Sequence, residues 1–197
     1  MTSIVKTILA IVLALSLMWT GFASADEPAS SSDRSLIIVF SLTNKTMSIA
    51  EILAKKTGAE IYTIAPAEPF PADELATIEA EEARRKAGTP LELASPPPNL
   101  DGYNLVYLGS PTWFGEPPEI VQLFLSKADF KAAKVALFVT SGTRPANVVD
   151  TLTALVGPDK LAGPAFLQRR ADDWTPVALE KKIDDWLAAV NSAVKPK

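Results

Sequence analysis

Hydrophobic positions along this chain fall into segments of alternating kind. Ser35-Leu36-Ile37-Ile38-Val39-Phe40-Ser41 is a continuous apolar run bounded by polar residues. Such a run suits a strand buried on both faces, as in a parallel sheet. Residues 46–56 switch to helical period, with Ile49, Ile52 and Leu53 on one face and Gly58 as the stop. Residues 60–65 set Ile61 and Thr63 against Tyr62 and Ile64, the period of a second strand. Strand, helix and strand in about thirty residues make a βαβ unit.

Pro69 and Pro71 then interrupt the pattern. Residues 73–86 predict a solvated helix that starts acidic and ends Arg84-Arg85-Lys86, a polarity that complements the helix dipole. Pro90 and Pro96-Pro97-Pro98 mark a long loop. Leu105-Val106-Tyr107-Leu108 is a third strand, ending at Gly109-Ser110-Pro111. Pro118 opens a helix whose buried face is Ile120, Val121, Phe124 and Leu125. Residues 135–139 form a fourth strand. Residues 147–156 form a helix with Val148, Leu152 and Leu155 inward, ended by Gly157-Pro158. A weak fifth strand over 161–167 is interrupted by Gly163-Pro164, which places it at a sheet edge. In the last helix Thr175 is the cap and Pro176 the first helical residue. Leu179, Ile183, Trp186, Leu187 and Val190 form its apolar stripe, so Trp186 is a core residue. Trp174, just before the cap, reads as a staple onto the core, and Tyr103 and Tyr107 as packing residues.

Five strands alternating with helices predict a doubly wound α/β fold: a five-stranded parallel sheet with helices on both faces. The 197 residues fit one such domain, over residues 35–192. Ligands of these folds bind beyond the carboxyl ends of the strands, near a switch in strand order. Three loops leave those ends, 41–46, 109–118 and 140–145. They converge if the strand order is 2-1-3-4-5.

The first 25 residues stand apart. Lys6 precedes an apolar run from Ile8 to Trp19, and Ala23-Ser24-Ala25 follows before Asp26. A positive start, a short apolar stretch and an A-x-A end make a cleavable secretory signal, followed by a flexible polar lead over 26–34. This predicts an exported, periplasmic or secreted protein. The alternative is an uncleaved segment that holds the protein to a membrane. The absence of Cys rules out a lipoprotein.

Composition narrows the chemistry. The chain has no His and no Cys. That removes Ser-His-Asp and cysteine nucleophile chemistry, disulfides, and metal sites built on imidazole or thiolate. Work near neutral pH then falls to a perturbed carboxylate or lysine, or to a cofactor. A net charge of −4 disfavours nucleic acid as a partner.

The first loop, Ser41-Leu42-Thr43-Asn44-Lys45-Thr46, offers hydroxyls, an amide and an ammonium at a helix start. That set suits a phosphate, and equally serves plain capping. The G-x-x-x-x-G-K-[ST] spacing of a P-loop is absent. The second loop places Trp113 and Phe114 together among Pro and Gly, so one of them lies on the surface or over a ligand. A flat indole stacks on a flat heterocycle, or folds onto its own loop. Glu116 reads as a solvated loop carboxylate. The third loop supplies Thr140, Ser141, Gly142, Thr143 and Arg144, groups that can hydrogen-bond the polar edge of a ring. Arg144 paired with a surface carboxylate is the other reading.

These loops carry a resemblance. Residues 41–50, Ser-Leu-Thr-Asn-Lys-Thr-Met-Ser-Ile-Ala, resemble at the same spacing the S-x-T-G-N-T-x-x-[IV]-A pattern of flavodoxins, apart from Asn44 and Lys45. Residues 109–118, Gly-Ser-Pro-Thr-Trp-Phe-Gly-Glu-Pro-Pro, match their G-x-P-x-W-x-G-x-x-P. The stretch 138–142 resembles the family's third loop. The chain is therefore similar to the larger flavodoxin-like proteins over most of residues 36–190, which implies the strand order 2-1-3-4-5 and FMN as cofactor. By the resemblance, the phosphate would meet Ser41, Thr43, Asn44, Lys45 and Thr46. The isoalloxazine would lie between Pro111, Thr112, Trp113, Phe114 and Gly115 on one side and Thr140, Ser141, Gly142 and Thr143 on the other. Two departures imply weaker or altered flavin binding. Asn44 stands where the family has Gly, with Lys45 in place of Asn, and the third loop has no aromatic residue. Asn tolerates the left-handed conformation next best after Gly, so the turn can survive.

Two readings follow. In one, the protein is an exported FMN-binding electron carrier or flavin-dependent reductase, served by redox donor and acceptor proteins of unknown identity and by no metal. In the other, it is a non-redox binding module on the same fold whose FMN binding is weakened or lost.

Overall fold

The computed structural model describes residues 34–142 and 147–194. The expected signal, nearly all of the polar lead, and Thr143 and Arg144 lie outside the described residues. Arg34, at the end of that lead, is held in place. Its Nη2 donates to the Tyr103 hydroxyl at 3.1 Å and its guanidinium sits 4.4 Å from the Tyr103 ring centre.

Five strands form one parallel sheet: β1 (Ser35–Val39), β2 (Glu60–Thr63), β3 (Leu105–Pro111), β4 (Lys134–Ser141) and β5 (Phe166–Arg169). Their order is 2-1-3-4-5, as expected. The helices are α1 (Lys45–Thr57), α2 (Glu74–Ala87), α3 (Glu119–Lys127), α4 (Val148–Val156) and α5 (Pro176–Val194). Strand pleating divides the continuous apolar runs between two cores. Leu36, Ile38, Val106, Leu108, Leu137 and Val139 pack with Phe124 of α3 and Leu152 of α4. Ile37, Val39, Tyr107 and Phe138 pack with Leu53 of α1 and with Ile183 and Trp186 of α5. Gly109 is needed in the second core, because a Cβ there would lie 2.2 Å from Phe138 Cζ.

Two local expectations are corrected. The fifth strand runs over Phe166–Arg169 rather than 161–167. Leu161 makes only an isolated bridge to Val135, because Gly163 takes a positive φ and Pro164 has no amide to continue the ladder. The strand resumes at Phe166 and carries the chain further toward the ends of the other strands. In α4 the inward residue of the last turn is Val156, and Leu155 is 39% exposed. The charged helix α2 is capped by Asp73, which accepts from the Ala76 amide at 2.9 Å. It is the solvated helix expected, with Thr77 its one buried residue, and Arg84 ties it to α3 by bridging Glu81 and Glu119.

Strand order reverses between β1 and β3, whose crossovers leave in opposite directions, so a cleft opens at their carboxyl ends.

Candidate functional site

The cleft has a volume of about 610 Å³, within the usual range for small-molecule sites. It gathers residues from all three expected loops: Ser41, Thr43, Lys45 and Thr46 from the first, residues 111–115 from the second, and Thr140, Ser141 and Gly142 from the third. Asn44 is exposed and does not line it. Its role is in the backbone: φ of 60° puts it in the left-handed region, and its carbonyl accepts the Ser48 amide at 2.9 Å to start α1. A short polar side chain is what that conformation tolerates when glycine is missing.

The second loop is a tight hairpin. The Trp113 amide donates to the Glu116 carbonyl at 2.9 Å, and the Glu116 amide returns a bond at 3.0 Å. Both central residues have positive φ, 53° for Phe114 and 88° for Gly115, the pattern of a type I′ turn. Phe114 is 82% exposed at the tip. Trp113 is partly buried against the first core, its ring 5.6 Å from Phe40 and 5.9 Å from Phe70 between centres. Thr112 Oγ1 is buried and has no hydrogen-bond partner among the described residues.

Glu116 is not the free loop carboxylate expected of it. Its oxygens accept from Thr151 Oγ1 at 2.5 Å and Asn147 Nδ2 at 3.0 Å, and Asn147 also donates its amide to the Gly115 carbonyl. The Thr151 hydroxyl, then the Asn147 amide, hold this carboxyl below its ordinary range. The signal for this contact was not local, since both partners come from α4 and its cap.

Three cleft residues were missed altogether. Glu74 reaches it from the first turn of α2, and Arg170 and Trp174 come from the loop after β5. Trp174 does pack on the second core, as its staple position suggested, but it also lines the cleft. Lys45 Nζ lies 5.8 Å from its ring centre. Neither Lys45 nor Arg170 has an ion-pair partner among the described residues. A smaller hollow of about 390 Å³ lies between α2 and the second loop, and shares Glu74, Thr112, Trp113 and Phe114 with the cleft.

The family model described as Flavodoxin matches residues 34–158. The chain belongs to the flavodoxin family. Both flavodoxin-like motifs, at 41–50 and 109–118, fall inside the matched stretch, whereas β5, α5, Arg170 and Trp174 lie beyond it. Among solved structures, a putative flavoprotein from Bacteroides eggerthii is 25% identical, with a TM-score of 0.61, covering 80% of this chain and 98% of that one. A putative flavoprotein from Bacteroides uniformis is 23% identical, with a TM-score of 0.60, covering 78% and 99%. A flavoprotein from Lactobacillus acidophilus, solved in complex with FMN, is 21% identical, with a TM-score of 0.55, covering 79% and 99%. A search of curated proteins finds no match.

Proposed function

We propose that the cleft holds FMN and that the protein is an exported flavoprotein, working as an electron carrier or a flavin-dependent reductase. One observation carries the reading: the hydroxyl-rich start of α1, the Trp113 loop and the end of β4 form one continuous cleft at the reversal of strand order. The donor set fits the group. Ser41, Thr43 and Lys45, which has no ion-pair partner among the described residues, suit a phosphate dianion at a helix start. Asn44 supplies the left-handed turn that a glycine would. The orphaned Thr112 hydroxyl suits a ring that brings a polar atom. The FMN-bound Lactobacillus relative and the family match point the same way.

When bound, the flavin supplies electron transfer by one or two electrons. The protein's part is to hold and tune it. Trp113 offers an apolar face, the hydroxyls and amides of the first and third loops offer donors, and Lys45 and Arg170 favour negative charge in the cleft. The absence of His and Cys agrees with chemistry left to a cofactor. Residues 1–25, with their positive start, apolar run and A-x-A end, support export.

A non-redox binding module is the competing reading. It is favoured by the contacts of Trp113 with Phe40 and Phe70, which already occupy part of the indole. An absorbance spectrum and an FMN titration of the purified protein decide between them. A flavin spectrum, or fluorescence quenching that saturates at one FMN per chain, supports the redox reading. Absence of both overturns it.

A further inference from the structure

The loop over residues 170–175, outside the family match, is built to a fixed shape. Asp172 accepts from the Arg169 amide at 2.9 Å, from Arg169 Nε at 3.1 Å and from Lys182 Nζ at 3.2 Å. Gln168 Nε2 donates to the Asp173 carbonyl at 3.0 Å, and Asp173 Oδ1 accepts the Thr175 amide at 2.8 Å. Trp174 Nε1 donates to the Arg169 carbonyl at 2.9 Å. With its one polar atom bonded to backbone, the indole has only apolar surface left to offer the cleft it lines.

The two cleft tryptophans belong to opposite layers. Trp113 packs with the core under α3 and α4, Trp174 with the core under α1 and α5. The third loop, by contrast, contributes no aromatic residue. Lys45 lies beside the Trp174 ring, and Arg170 leaves the same loop, so the wall that carries this indole is also cationic.

We infer that Trp174 is the second aromatic wall of the cleft, and that with Lys45 and Arg170 it makes a subsite for a planar heterocycle carrying an anionic group. The inference rests on the flavin reading and names the part of this chain that takes over the missing aromatic contact. A rigid indole gives contact area at little ordering cost, and the cations act on the anionic group and not on the ring alone.

The test titrates the wild type and the variants Trp174→Ala, Trp174→Phe and Lys45→Ala with FMN and with riboflavin, which lacks the phosphate, following flavin fluorescence. Trp174→Ala weakens both ligands alike, by about tenfold. Trp174→Phe restores most of that loss, because it keeps a ring face while losing the N–H bond to Arg169. Lys45→Ala weakens FMN and leaves riboflavin unchanged. Normal wild-type binding with unchanged affinity in Trp174→Ala overturns this inference alone. So does a loss shared equally by Trp174→Phe, which would assign the effect to the hydrogen bond that shapes the loop. A wild type that binds neither flavin overturns the flavin reading and the inference with it.

Discussion

The hydroxyls of Thr46 and Thr140 lie 2.8 Å apart, ninety-four residues distant in the chain and both buried. This bond ties the first turn of α1 to the end of β4, and so fixes two of the three cleft loops to each other. One hydroxyl donates and the other accepts. Removing one leaves its partner buried and unpaired, which costs about 1–3 kcal/mol. Thr46→Val is therefore expected to lower the urea midpoint by that equivalent. The double variant Thr46→Val with Thr140→Val should lose less than the sum of the singles, a coupling that a denaturation cycle measures directly.

Phe114 is a bulky residue in the left-handed region, held there by the reciprocal bonds of the hairpin. Its ring is exposed, so it gains little from burial. Asn-Gly is the preferred pair for such a turn. Phe114→Asn should stabilise the protein by about 1 kcal/mol, seen as a higher melting temperature. A lower melting temperature would show that the ring contributes packing that its exposure hides.

Acid should weaken the loop that carries Trp174. The Asp172 carboxyl is lowered from 3.8 to about 2, first by the Arg169 amide, then by the Arg169 and Lys182 side chains, against the opposing cost of burial. A folded-state value below the unfolded one means that the unfolded chain binds the proton more readily. The stabilisation is then complete above pH 4 or so and is lost as pH falls toward 2, about 1 kcal/mol after solvent screening. Glu116, also lowered, adds loss in the same direction. Urea midpoints measured across that range should fall less steeply in Asp172→Asn than in the wild type.

Asn44 separates conformation from chemistry. At a φ of 60°, Asn44→Ala should cost about 1 kcal/mol, while Asn44→Gly is neutral within a few tenths. If the backbone shape is all that the family's glycine provides, Asn44→Gly leaves FMN affinity unchanged. A marked gain in affinity would mean that the Asn side chain itself obstructs the site.

The sequence by itself determined the layering and the position of the cleft loops. The unbroken apolar runs at 36–40 and 135–139 can only be satisfied by burial on both faces, and the helical stripe ending in Trp186 and Val190 needs a sheet to cover it. The motifs at 41–50 and 109–118 are local, so their residues and spacing could be read directly. Tertiary structure decided the rest. Glu116 acquired its partners only when α4 docked against the hairpin. Trp174 looked like a staple because it stands just before the Thr175 cap. It lines the cleft because β5 pairs beside β4 and runs on to Arg169, opposite Ser141. That placement depends on strand order and on where Pro164 interrupts the ladder, a through-space outcome of pairing that no short window of residues encodes.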